Sequence, residues 1–196
     1  MMLTRGSRKM IDILGAVNDF VLAYSHAGGV PALEQAQIVR GWQNYGPLPG
    51  KTQEIVILTL LDEIRHGTNI HRYTDAATPD DLNLDVRRLA EHLVQVDFCC
   101  ASPNRAERIA RERAGTIETL ARDMIAVKFF KQQGLSSCYA DTVKALPFMN
   151  EAKQWIARYS VTLHLMSVGT AELVQPAFTE VDVRIENVDE HHPVTL

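Results

Sequence analysis

The groups that could hold a metal, move a proton or attack a substrate are the histidines, the cysteines and the paired carboxylates. His66 and His71 flank Gly67-Thr68-Asn69-Ile70. An interval of five puts the two rings on neither one helix face nor one strand face, so they do not predict a metal pair. Cys99 and Cys100 are adjacent, a spacing that lacks C-x-x-C geometry and cannot close on itself without strain, and Cys138 stands alone. Three thiols in this arrangement predict buried, small, unpaired side chains in a reducing cytoplasm. His164 falls in the polar row of an alternating segment, which suits a surface or interface. His191-His192 belongs to the tail, and Asp62-Glu63 and Asp80-Asp81 read as solvated acids. G-x-S-x-G, H-E-x-x-H, Walker and G-x-G-x-x-G patterns do not occur in the sequence. The expectation is a chain that is not an enzyme, with no catalytic, cofactor-binding or metal-binding residue and no cofactor.

The elements that carry these residues centre on Arg158 to Leu165. There Tyr159, Val161, Leu163 and Leu165 alternate with Arg158, Ser160, Thr162 and His164, the pattern of a half-buried strand. Met10, Ile13, Leu14, Val17, Phe20, Val21 and Tyr24 predict an amphipathic helix over about 7–26, stopped at Gly28-Gly29. A short strand at 37–40 and a loop through 41–50 follow. The apolar run Glu54 to Leu61 predicts a buried central strand that continues, past a bend at Gly67, to Tyr73. Residues 76–83 read as a loop and 87–100 as a second half-buried strand, with a bulge near Leu93.

Ser102-Pro103 predicts the start of one helix running to Lys131, its stripe of Ile109, Ile117, Leu120, Ala121, Met124 and Val127 covering the strand at 159–165. Gly134 ends it. Cys138-Tyr139 reads as extended, 141–149 as a turn connection, Glu172–Val174 and Val181–Val188 as further extended pieces, and 189–196 as a C-terminal tail. The fold class is α+β, one domain over 1–196, a mostly antiparallel or mixed sheet against a long amphipathic helix and an N-terminal helix.

Composition narrows the function classes. A formal net charge of −4 argues against a sequence-independent grip on nucleic acid. Arg105, Arg108, Arg111 and Arg113 cluster, but Glu107 and Glu112 interleave with them, which predicts a solvated helix face. No apolar run approaches the roughly 20 residues that cross a bilayer, and the N-terminus has no signal-peptide pattern, so no membrane partner is expected.

Five short motifs occur in order: Val39-Arg40-Gly41-Trp42-Gln43-Asn44, Arg65-His66-Gly67-Thr68-Asn69, Val94-Gln95-Val96-Asp97-Phe98, Cys138-Tyr139-Ala140-Asp141 with Leu146-Pro147, and Arg158-Tyr159-Ser160-Val161-Thr162-Leu163. Together, over roughly 39–193, they resemble the phage neck terminator family, tail-completion proteins of tailed bacteriophages. The chain departs from the family pattern at Cys99-Cys100, where an aromatic and a glycine are expected. The resemblance implies a structural virion protein, assembled in the host cytoplasm, that forms a homo-hexameric ring at the head-proximal end of the tail tube. There it would end tube growth and connect tail to neck. It implies as partners the tail tube protein, a neck or head-completion protein, the sheath protein as an optional contact, and phage DNA passing through the channel without specific binding. The alternative is a small cytoplasmic enzyme or metal-binding protein that shares the strand pattern.

Overall fold

Three strands of about twenty residues each set the shape of the molecule. The computed structural model describes residues 11–27, 29–41, 54–75, 81–101, 105–150 and 153–176. In chain order these form α1 (Ile13–Tyr24), a 3-10 turn (Gln35–Gln37), β1 (Ile38–Arg40), β2 (Glu54–Asp75), β3 (Asp81–Cys100), α2 (Ala106–Ala121), α3 (Met124–Gln132), β4 (Leu135–Ala140), β5 (Lys144–Ala145), β6 (Phe148–Met149) and β7 (Trp155–Pro176). The sheet runs β1-β2-β3-β7-β4. β1 lies parallel to β2 and the other pairs are antiparallel, with β5 and β6 adding short bridges to β7. This is the expected α+β architecture, with the helices on one face of a mixed sheet.

Alternation builds that face. Val94, Val96 and Phe98 of β3 stand opposite Leu163, Val161 and Tyr159 of β7, and Val56 and Leu58 of β2 continue the row. All but Tyr159 are buried, and they pack with Phe20, Ala114, Ile117, Ala121 and Phe130 of the helices in one core. Tyr159, Val161, Leu163 and Leu165 therefore do face the helical layer. Within that core Phe20 and Phe130, with Tyr24 and Phe129 packed against them, join α1 to α3 with ring centroids 4.9–5.9 Å apart.

Several expectations need correction. The single helix ending at Lys131 is two helices, because the Asp123 side chain accepts from the Ile125 amide and starts α3 afresh. The break re-aims the stripe: Ala126 and Phe130 turn inward, whereas Met124 is exposed. Ser102-Pro103 lies outside the described residues. Gly134 does end the helical stretch, with φ +84°. α1 begins at Ile13, where Asp12 caps the Gly15 amide, and ends at Tyr24, before the glycines.

The run Glu54 to Leu61 is not central. Among the described residues β2 has only the three-residue β1 on its outer side, and just Val56 and Leu58 of the run are buried. Residues 81–83 belong to β3, and Glu172–Val174 is the end of β7, which Gly169 does not interrupt. The bulge expected near Leu93 sits across from it, with Leu61 as the extra residue of β2 between the pairs Leu60↔Val94 and Asp62↔Leu93. The bend at Gly67 is present: its φ is +69°, and the register slips between His66 and Ile70. The 141–149 connection includes the two short bridges β5 and β6. Residues 181–196, with His191 and His192, lie outside the described residues, as does Asp80.

Candidate functional surface

Single-sided helix cover leaves the opposite face of the sheet without a helical layer among the described residues, and there the polar rows of β2, β3 and β7 meet. Because β3 and β7 pair without a break from Asp81↔Pro176 to Cys100↔Ala157, every outward side chain of one has a fixed diagonal neighbour on the other. Glu91 uses one such diagonal to β7 and a second, across the β2–β3 pairing, to β2. Its Oε1 lies 2.6 Å from His164 Nδ1 and its Oε2 lies 2.7 Å from His66 Nε2, so one carboxylate ties β2, β3 and β7 together. Those two histidine hydrogen bonds hold the Glu91 carboxyl below its ordinary range. His164 also stacks edge-on against Tyr139 and sits 3.3 Å from Asp141.

The second polar contact on this face is Asp97 to Arg158. Arg158 Nη2 donates to Asp97 Oδ2 at 2.8 Å, and Gln95 donates to the same oxygen at 2.7 Å. Asp97 is almost fully buried. That hydrogen bond raises the arginine pKa further. A third ion pair lies at the helix–sheet boundary and corrects an expectation. Arg113 is not on a solvated face: it is buried, and its Nε and Nη2 both reach Glu54 Oε2, at 2.9 and 2.6 Å. Arg108 does lie on the exposed side, paired with Glu112 at i, i+4.

The residues singled out for chemistry are scattered. His66 and His71 point to opposite faces, one in register with Leu89 and the other with Val86. Cys99, Cys100 and Cys138 are buried and form no disulfide, and burial pushes the Cys99 and Cys138 thiols up to about 12, far from the thiolate that metal binding or attack requires. No group of three or more His, Cys, Asp or Glu among the described residues has metal-ligating geometry. Sequence reading missed Glu91, Asp97 and Glu54. The available signal was a carboxylate in an alternating strand, which needs a cross-strand cation once its partner strand is known.

A wide groove of about 1190 Å³ opens between α2, the β5–β6 connection and the start of β7. Arg105, Arg108, Arg111 and Arg158 line it together with Trp155 and Tyr159. Trp155 is 68% exposed. The Tyr159 hydroxyl bonds Glu107 at 3.1 Å, and its pKa is raised first by burial and then by that carboxylate.

The far end of the sheet is bare. Past Arg40 no strand pairs with the outer edge of β2 among the described residues, and past Ser167 none pairs with that of β7. Residues 62–75, 81–90 and 168–176 thus form a three-stranded ribbon extending from the helix-covered body. No helix is long and apolar enough to cross a membrane, within the described residues.

Comparison with known proteins adds one finding. The family model described as phage neck terminator protein matches residues 10–190. No curated protein matches the chain.

Proposed function

The chain belongs to the phage neck terminator family, and from that premise we propose that it closes into a homo-hexameric ring on the head-proximal end of the tail tube, stops tube growth and joins tail to neck. Membership makes it a structural component of the phage neck, working among other neck and tail proteins. The observation that carries the reading is the match over 10–190, nearly the whole chain.

The physical features support it. A sheet whose edges are unpaired over long stretches among the described residues, with an amphipathic ribbon, calls for partners, and a closed ring satisfies edges that an open stack would leave exposed. Six chains at −4 each give an acidic ring, which lets DNA pass without adhering. The side chains best placed to do chemistry are tied into cross-strand pairs or buried, which suits an architectural role. The contacts are the tube protein below and a neck or head-completion protein above, with the sheath protein alongside if the tail contracts.

Deleting the gene and imaging the particles tests this. Tubes of uncontrolled length, or finished tails that fail to join heads, are the expected result. Normal-length tails on filled, infectious particles would overturn it.

A further inference from the structure

The groove between α2 and the start of β7 holds positive charge that the described residues leave unmatched. Of its four arginines, Arg108 pairs with Glu112 and Arg158 with Asp97. Arg105 and Arg111 are exposed and have no carboxylate partner among the described residues. Trp155 adds an exposed apolar surface beside them. The matching negative charge lies in the sequence past β7. Residues 177–196, outside the described residues, carry Glu180, Asp182, Glu186, Asp189 and Glu190 against Arg184 alone, which is the full formal −4 of the chain. Residues 1–176 are balanced, with nineteen basic and nineteen acidic side chains. The segment also alternates, Val181, Val183 and Ile185 against Asp182, Arg184 and Glu186, so when extended it offers an apolar row and a charged row.

These acids fall short of the groove of their own copy. β7 pairs with β3 without a break from Cys100↔Ala157 to Asp81↔Pro176, so Tyr159, the groove residue of β7 nearest the ribbon, stands about 55 Å from Pro176 at strand rise. Fully extended, the chain past Pro176 brings Asp182 within about 20 Å, Glu186 within about 35 Å and Glu190 within about 50 Å of it. We propose that residues 181–190 of one copy lie in the arginine-lined groove of the next, with Asp182 and Glu186 toward Arg105 and Arg111, Arg184 toward Glu107, and the apolar row against Trp155. This rests on the ring reading above and specifies its interface. The segment leaves one end of the protomer and the groove lies at the other, so the contact is head to tail, the heterologous kind that makes a ring when the rotation closes. Opposite charge draws the two together and disfavours groove-to-groove pairing.

The test uses the full chain inside particles. A photo-reactive benzophenone amino acid replaces Ile185, the particles are irradiated, and the products are separated by mass and their linked peptides identified by mass spectrometry. The expected product has at least twice the mass of the chain and joins position 185 of one copy to a peptide containing Trp155 or Arg111 of another. A link within one copy, a link to another virion protein, or no link in particles that contain the protein overturns the docking proposal while the ring reading stands. Infectious wild-type particles that lack the protein overturn both.

A charge exchange gives the second readout, and it decides the matter if the benzophenone chain stays out of particles. R105E with R111E should cut incorporation into particles about tenfold or more, and D182R with E186R should do the same. The four changes together should restore it. Wild-type incorporation of either double variant, or failure of the restoration with every variant folded, overturns the docking.

Discussion

At the scale of single residues, the parity of an alternating strand decides which side chains are core and which are available to partners. Val161, Leu163 and Leu165 are buried under the helices, and the residues between them form the outer face with Glu91 and Asp97. This parity was legible from Arg158 to Leu165 alone, since apolar and polar residues alternate there without exception. The partners of the polar row were not legible, because cross-strand register depends on which strand lies alongside and in what phase. Arg113 shows the same limit: the arginines before it in α2, Arg108 and Arg111, are exposed, whereas Arg113 is buried against Glu54, a partner distant in sequence. Leu163 is fully enclosed, so Leu163→Ala removes packed atoms that the surrounding helices and strands cannot fully replace. A loss on the order of 2 to 5 kcal/mol is expected in urea unfolding. A change below roughly 0.5 kcal/mol would mean that this row is not the core of the folded protein.

At the scale of elements, sequence periodicity located the helices and strands better than it located their ends. β3 and β7 each extend beyond the stretch where alternation is clear, because their outer halves pair with each other and with β2 in a ribbon. Apolar density fell there, and 81–83 therefore read as loop and Glu172–Val174 as an isolated extended piece, whereas β2 was legible as far as Tyr73. The break between α2 and α3 was missed for a different reason. Arg122 and Asp123 fit a continuous polar face, and the capping bond from Ile125 to Asp123 declares itself only in the backbone. That bond has a measurable consequence. Asp123→Ala leaves the first-turn amide of α3 without its acceptor and should lower stability by about 1 kcal/mol. Asp123→Asn keeps the acceptor and should recover most of that loss. If Ala and Asn were equally tolerated in thermal unfolding, the cap would not be what separates the two helices.

At the scale of the whole molecule, two groups where the body meets the ribbon couple folding to acidity, and both act in one direction. His92 is buried against Ser167, with Nε2 and Oγ 2.8 Å apart, and is faced by Glu63 at 3.7 Å and by Arg88. Burial lowers its pKa, Glu63 partly opposes this, and Arg88 adds to it. Glu91 is also lowered, in its case by hydrogen bonds from His164 and His66. For the histidine, the unfolded chain takes up a proton in the ordinary histidine range while the folded chain resists. Stability therefore begins to fall as pH drops through that range toward the lower folded value. For the glutamate, the stabilisation is complete above the ordinary carboxylate range and is lost as pH falls through it toward the lower folded pKa. The two windows follow one another, histidine first and carboxylate second. Urea midpoints measured from about pH 7.5 down to about pH 4 should decline in both windows, given the ordinary values of the two groups. His92→Gln should flatten the first window and leave the second, whereas Glu91→Gln should flatten the second and leave the first. A wild-type midpoint that holds constant from neutral pH through the histidine range would show that His92 does not resist protonation in the folded state.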